Sequence, residues 1–278
     1  MKKILCPTDF SKTATNAVEV AAMVAHYLQA SVTLLHVIHL PLIDTTEAAL
    51  DADDALEAQR QHAIEKLTHT CQYLTQKYGQ GFCKYDFIVK EAMLADAVKN
   101  MCRTERFEMV VVGTTGGGNT LEEILIGSNT QAVIEGVKCP VLAVPAKTPV
   151  QPFRHIVYGS NYQPEDADAI RQLLQLAAIF KAEVEIVHVS QKESTDIQSK
   201  ANKFREYLQA QLPGTNLRFQ EVIHPDEVEG LKGFLTTTHA DMLVILKKHK
   251  GFLSNLFNQS LSEQMTYQTK LPLLVYHA

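Results

Sequence analysis

Residues 110–118 read Val-Val-Val-Gly-Thr-Thr-Gly-Gly-Gly, and Gly127-Ser128 follow shortly afterwards. An apolar run that ends in glycines is typical of a buried strand delivering backbone N–H groups to an anion, because glycine adopts positive φ and permits close approach. Gly127-Ser128 precede a helical segment at 129–135, whose N-terminal dipole favours the same anion. These residues predict a phosphate-binding turn between a strand and a helix. The alternative is a surface turn, with Ser128 serving only to cap the helix.

The glycine-rich stretch belongs to one copy of an internal repeat. Segments of the first half match segments of the second at offsets of 152, 152, 133 and 132 residues: 4–6 with 156–158, 32–37 with 184–189, 107–112 with 240–245, and 139–143 with 271–275. Repeated similarity in a constant order indicates a tandem duplication. We therefore predict two domains, at 1–147 and 153–278.

Within each copy, β-rich apolar runs alternate with segments of helical periodicity. In the first copy the predicted strands are 4–6, 32–37, 85–89, 109–112 and 141–144, and the predicted helices are 11–29, 46–77, 94–104 and 128–135. Ser11 is the expected N-cap of the first helix. Such alternation predicts an α/β fold of two tandem doubly wound, Rossmann-like domains, each with a five-stranded, mainly parallel sheet. A ligand crevice is expected beyond the carboxyl ends of the strands, where 7–9 and 113–118 face each other.

Composition limits the function. The 278 residues carry a formal charge of -5, and Lys and Arg are scattered along the chain, which argues against a nucleic-acid partner. No apolar run reaches the ~20 residues of a membrane span, so a cytoplasmic protein is expected. Five cysteines lie in the first half without metal-ligand spacing, and neither a disulfide framework nor a metal site is predicted. Cys6 and Cys139 are expected to pack as small buried apolar groups, with a redox-sensitive thiol as the alternative.

The glycine-rich turn follows the fourth strand rather than the first. It contains neither the GxGxxG dinucleotide fingerprint nor the GxxxxGK[ST] phosphate loop. The sequence therefore indicates another kind of nucleotide site.

Five motifs together resemble the universal stress protein family in its tandem two-domain form, over nearly the whole chain. They are Pro7-Thr8-Asp9-Phe10-Ser11, His36-Val37, the Val-Val-Val-Gly at 110–113, the segment 121–128, and the segment 139–145. The resemblance implies the strand order 3-2-1-4-5. It also implies ATP binding through a pattern of Gly, two residues, Gly, nine residues and Gly-Ser. This chain departs from that pattern by one residue, since counting forward from Gly113 selects Gly116 and counting backward from Gly127 selects Gly117.

The resemblance implies ATP as the ligand, with Mg²⁺ shared by its phosphates. Asp9 would accept a hydrogen bond from the exocyclic amine of adenine, because a carboxylate beside the phosphates would repel them. The full set of implied binding residues is Pro7, Thr8, Asp9, Val37, Gly113, Thr114, Gly116, Gly117, Gly127, Ser128, Asn129 and Thr130. No Lys or Arg lies within the loop and no general base stands out, so modest affinity, slow chemistry at most and no catalytic residue are expected.

The second copy has lost most of this pattern. Asn161, Leu246, His249 and Gln259 stand where the first copy has Asp9, Gly113, Gly116 and Gly127, and only Ser260 is retained. We expect no ATP there and a structural or regulatory role. The alternatives for the chain are a protein-interaction module that binds no nucleotide and a slow ATPase. The resemblance also implies that the last strands, 141–144 and 273–276, join the halves as an intramolecular pseudo-dimer, and a homodimer remains open.

Overall fold

The structure is a computed structural model, and it describes residues 2–38, 46–78, 83–114, 127–215, 217–247 and 271–278, with side chains omitted for 46–53. Its internal contacts divide the chain into two compact units. Among the described residues, one unit runs to Thr114 and resumes from Gly127 to Gln151, and the other begins at Pro152.

The N-terminal unit alternates strands and helices as the sequence predicts. Its elements are β1 (Lys3–Pro7), α1 (Lys12–Leu28), β2 (Ser31–Ile38), α2 (Thr46–Tyr78), β3 (Tyr85–Glu91), α3 (Leu94–Thr104), β4 (Met109–Gly113), α4 (Ser128–Gly136) and β5 (Val141–Val144). The strands pair in the order β3-β2-β1-β4-β5, and the pairs are parallel. Helix α1 packs against α2, and α3 packs against α4. The predicted α/β fold and strand order are confirmed.

Helix α1 shows how local sequence sets the bounds of an element. Ser11 is the N-cap, and its side chain accepts a hydrogen bond from the N–H of Ala14. The helix ends at Gln29, which adopts a left-handed conformation with φ of 52°. Its buried face consists mainly of alanine and valine, whose small side chains let the helix approach the sheet closely.

The C-terminal unit repeats the architecture. Its elements are β6 (His155–Gly159), α5 (Asp166–Phe180), β7 (Glu183–Ser190), α6 (Thr195–Gln211), β8 (Arg218–Ile223), α7 (Glu227–Thr237), β9 (Met242–Lys247) and β10 (Leu273–His277). The strands pair in the order β8-β7-β6-β9-β10, again in parallel. Among the helices described in the two units, none is both long and apolar enough to span a membrane.

Candidate functional site

A cavity of about 300 Å³ opens at the carboxyl edge of the N-terminal sheet, between β1 and β4. The chain order reverses at this point, because β2 and β3 lie on one side of β1 while β4 and β5 lie on the other. Such switch points are where open α/β sheets bind ligands. The cavity is lined by Pro7, Thr8, Asp9, Ser11, Thr13, Ala14, His36, Val37, Leu94, Val112, Gly113, Asn129 and Thr130.

The turn after β1 is fixed by hydrogen bonds to Thr8. Its N–H donates to the Leu35 carbonyl at 2.8 Å, and its Oγ1 accepts from the N–H of Phe10 at 3.2 Å. Its carbonyl lies 2.8 Å from Nδ1 of His36. A carbonyl oxygen only accepts, so Nδ1 carries the proton and Nε2 of a neutral ring is an acceptor. Thr8 therefore forms part of the cavity wall, and its N–H, Oγ1 and carbonyl are already hydrogen-bonded within the protein.

Phe10 stabilises the same turn from outside. It adopts a φ of 64°, an uncommon left-handed conformation for a bulky residue. Its ring packs on His36 with the centroids 4.6 Å apart, and Nζ of Lys66 lies 5.0 Å from the Phe10 centroid. Ring packing and a cation–π contact each offset part of the strain in the backbone.

Asp9 is exposed at the mouth of the cavity. Its Oδ1 accepts from the N–H of Ser11 at 2.9 Å, which holds the carboxylate in place at the start of α1. A carboxylate has acceptor positions on both oxygens, so Asp9 keeps the capacity to accept from a ligand.

Strand β2 extends beyond the end of β1. Pro7, the last residue of β1, pairs with Leu35, whereas β2 continues to Ile38. The carbonyl of Leu35 accepts from Thr8, so it faces β1, and alternation along the strand turns the N–H and C=O of Val37 to the same side. The main chain of Val37 therefore projects where no β1 residue pairs with it.

Gly113 lies in close contact with the start of α1. A Cβ at this position would lie 3.1 Å from the carbonyl carbon, the carbonyl oxygen and Cγ2 of Thr13. The carbonyl of Gly113 also accepts from the hydroxyl of Thr130 at 3.1 Å. The glycine thus lets the start of α1 approach β4, and Thr130 ties α4 to the same strand.

Helix α4 starts beside the cavity. Gly127 is its N-cap, with φ of -60° and ψ of 156° and no side-chain cap bond. The first N–H groups of a helix lack partners within it, so an anion at this end is favoured. Asn129 and Thr130 from this first turn line the cavity.

The structure brings seven of the twelve predicted binding residues together in this cavity: Pro7, Thr8, Asp9, Val37, Gly113, Asn129 and Thr130. Gly127 and Ser128 lie at the start of α4 outside its lining. Thr114 is buried and donates its N–H to the Val144 carbonyl at 2.9 Å. Gly116 and Gly117 lie outside the described residues, and their role stays a prediction.

Sequence reasoning did not assign six lining residues to the site: Ser11, Thr13, Ala14, His36, Leu94 and Val112. His36 carried a usable signal, because His-Val closes the second strand in both copies. Leu94 and Thr13 carried none, since their position depends on how α3 and α1 pack.

The C-terminal unit builds the same turn with different residues. Ser160 donates its N–H to Val187 at 2.9 Å and accepts from the N–H of Tyr162 at 2.9 Å. Nδ1 of His188 lies 2.8 Å from the Ser160 carbonyl, and Tyr162, with φ of 55°, packs on His188 at 4.6 Å. The turn therefore persists in the copy without the glycine pattern.

What surrounds this second turn is different. Asp166, at the position of Ala14, is 3% exposed and accepts from the Tyr158 hydroxyl, the Ser160 hydroxyl and the Gln163 N–H at 3.2, 2.7 and 3.3 Å. Glu227 begins α7 where Leu94 begins α3, and burial raises the pKa of its carboxyl. Leu246, at the position of Gly113, is buried. Two carboxyl groups and a larger apolar side chain thus stand where the first copy has Ala14, Leu94 and Gly113. The other replacements, at His249 and Gln259, together with Ser260, lie outside the described residues.

No group of three or more His, Cys, Asp or Glu residues that could hold a metal ion occurs in the part of the chain that the structure describes.

The family model of the universal stress protein family matches residues 1–145 and 152–277. Two universal stress proteins of Methanocaldococcus jannaschii are each 28% identical, one over 146 residues (51% of this chain, 81% of the relative) and the other over 156 residues (52% and 96%). The crystal structure of a universal stress protein from Archaeoglobus fulgidus covers 99% of this chain and 98% of its own, with a TM-score of 0.75 and 18% identity. That likeness concerns the fold.

Proposed function

We propose that this chain, which belongs to the universal stress protein family, is a cytoplasmic stress-response protein that binds ATP in its N-terminal domain. The observation that carries the proposal is the convergence of three strand ends and the N-terminal ends of α1, α3 and α4 on a single cavity. The domain bounds 1–147 and 153–278, and the pairing of the two last strands, remain part of the proposal.

The adenine would lie between Asp9 and Val37. The exposed carboxylate of Asp9 can accept from the exocyclic amine, while the main-chain N–H and C=O of Val37 offer a donor and an acceptor to the base edge. A guanine has a carbonyl in place of that amine, and the carboxylate would repel it. The site therefore favours adenine.

The ribose and phosphates would extend towards α4. The main chain of Gly113 and the first turn of α4, from Gly127 to Thr130, supply N–H and hydroxyl groups, and the helix dipole favours negative charge there. The hydroxyl of Thr130 already donates to Gly113, so it would serve a ligand as an acceptor. Mg²⁺ would be held by the phosphates and would neutralise part of their charge.

The described cavity lining includes no Lys or Arg. Phosphoryl transfer depends on cations placed against the developing charge. We therefore propose binding and sensing rather than turnover, with a slow ATPase as the alternative.

The C-terminal domain would have a structural or regulatory role. Glu227 and Asp166 place carboxyl groups beside the second turn, which opposes a polyphosphate, and Leu246 replaces the glycine at the strand end. These residues support the expectation that only the first copy takes ATP.

Calorimetry with ATP and Mg²⁺ on Gly127→Leu tests the site. The backbone angles of Gly127 suit any residue, so a leucine there blocks close approach without straining the chain, and we expect at least about a tenfold loss of affinity. Gly136→Leu is the matched control at the opposite end of α4, where a Cβ would meet only Lys99 at 3.8 Å. Equal affinity in the two variants would exclude the proposed phosphate position.

Comparing ATP with GTP on Asp9→Ala tests the adenine position. The wild type should prefer ATP, and the variant should lose that preference, whereas Asn161→Ala in the second copy should keep it. If the wild type shows no thermal shift with millimolar ATP, the protein is better explained as an interaction module without a nucleotide.

A further inference from the structure

Two thiols of the N-terminal unit lie side by side, at the edge of the sheet opposite the cavity. Cys102 lies near the end of α3, and Cys139 lies in the connection between α4 and β5. Their Sγ atoms are 3.8 Å apart, although the residues are 37 positions apart in sequence. A disulfide needs about 2.05 Å between the sulfurs, a change that small side-chain rotations can supply.

Both thiols are half-buried, so small oxidants can reach them. The sequence-based expectation that Cys139 packs as a small buried apolar group is wrong, because Cys139 is only half-buried. By contrast Cys6 is fully buried, as expected.

The two thiols differ in acidity. The hydrogen bond between the two thiols lowers the pKa of Cys139, and the same bond, together with burial, raises the pKa of Cys102. Burial raises the pKa of Cys71 to about 11, and it also raises the pKa of Cys83 and Cys6. Since the thiolate is the reactive form, we expect Cys139 to react before Cys102 within this pair.

We propose that Cys139 and Cys102 form a peroxide-reactive dithiol, in which a hydroperoxide oxidises Cys139 and Cys102 then closes a disulfide. This site is separate from the proposed nucleotide site and does not depend on it.

The chemistry balances in two steps. The Cys139 thiolate attacks one oxygen of hydrogen peroxide and breaks the O–O bond, which gives a sulfenic acid and hydroxide. Cys102 then attacks the sulfenic sulfur, the S–O bond breaks, and the oxygen leaves as hydroxide. The protons of the two thiols convert both hydroxides to water. The sulfur pair is oxidised by two electrons, and the peroxide is reduced.

A disulfide between these residues would close the chain segment that carries β4 and α4. A thiol reductant such as dithiothreitol would reopen it by exchange. The pair would thus act as a reversible modification site.

The test uses the full chain with hydrogen peroxide, a thiol count and peptide mapping without reductant. We expect the five free thiols to fall by two and a cross-linked peptide pair containing Cys102 and Cys139 to appear. Cys139→Ser should slow peroxide consumption about tenfold or more. Cys71→Ser, the control at another half-buried thiol, should react as the wild type does.

Cys102→Ser gives a second, opposite readout. It keeps Cys139 but removes the resolving thiol, so a sulfenic acid should persist at Cys139 and be trapped by dimedone. Peroxide consumption unchanged in Cys139→Ser, a cross-link between other cysteines, or five thiols remaining after peroxide would each overturn the proposal.

Discussion

The two copies share one turn and differ in what surrounds it. Thr8, Phe10 and His36 in the first copy, and Ser160, Tyr162 and His188 in the second, make equivalent hydrogen bonds and ring contacts, with both rings 4.6 Å from the histidine. The same turn is therefore built from different residues in the two copies. The crevice beside it is open in the first copy, whereas Asp166 and Leu246 occupy the corresponding positions in the second.

The largest effect is expected for Gly113→Leu, which places in the first copy the leucine that the second copy has at Leu246. A Cβ here meets the Thr13 main chain at 3.1 Å, so a leucine should lower the free energy of unfolding by about 3 kcal/mol and abolish ATP binding. Denaturant unfolding and calorimetry measure the two effects. The control is Gly233→Leu on α7, where a Cβ has open space, and this variant should stabilise by about 0.5–1 kcal/mol. A Gly113→Leu protein as stable as the wild type would contradict the packing role.

The reverse exchange is Asp166→Ala, which gives the second copy the alanine of the first. It leaves the buried hydroxyls of Tyr158 and Ser160 without their acceptor, and we expect a loss of about 2 kcal/mol in unfolding free energy. Asp168→Ala, an exposed aspartate two residues further along the same helix, should change stability by less than about 0.5 kcal/mol. Similar values for the two would show that the Asp166 bonds do not stabilise the fold.

The shared turn can be tested in both copies at once. His36→Ala and His188→Ala each remove one 2.8 Å bond to a carbonyl and one ring contact, so each should cost about 1–1.5 kcal/mol. Chemical denaturation of each variant provides the comparison. Costs that differ by more than about twofold would mean that the turn stabilises one copy far more than the other.

The smallest expected difference between the two copies is in how their stability depends on pH, through Glu19 in the first copy and Glu227 in the second. Burial alone would raise the pKa of Glu19, but donation from Lys77, Tyr73 and Tyr78 brings it below its ordinary value of 4.5. This carboxylate therefore stabilises the fold above the unfolded-state pKa, and the contribution is lost as pH falls through the folded-state pKa. Glu227 has the opposite sign, since its raised pKa means that ionisation as pH rises costs stability.

Stability measured against pH separates the two carboxyls. Glu19→Gln should flatten the loss of stability on acidification, whereas Glu227→Gln should stabilise slightly at neutral pH, each by less than about 1 kcal/mol. Parallel pH profiles in both variants and the wild type would contradict the assignment.

Local pattern was enough for most of the fold. The bounds of α3 and β5 match the predicted ones, and Ser11 caps α1 as expected, because periodicity and capping are properties of neighbouring residues. The sheet order followed from the family resemblance and is confirmed.

The details of the site could be predicted less well. The bond between His36 and Thr8 depends on the register of β1 and β2, and the approach of Thr13 to Gly113 depends on how α1 settles on β4. The Cys102–Cys139 pair joins residues on different elements. The spacing of residues along the chain does not predict any of these contacts, because each depends on how separate elements pack in the folded structure.

Strand β2 extends past the end of β1, and this extension bears on how the sequence can evolve. The atoms that Val37 offers to the crevice belong to the main chain, and every residue type except proline carries the same N–H and C=O. Mutations at position 37 can therefore accumulate without altering these two groups. In the proposed binding mode, position 37 can therefore diverge in sequence while the two main-chain groups that face the base are kept, whereas a substitution at Gly113 changes the crevice directly.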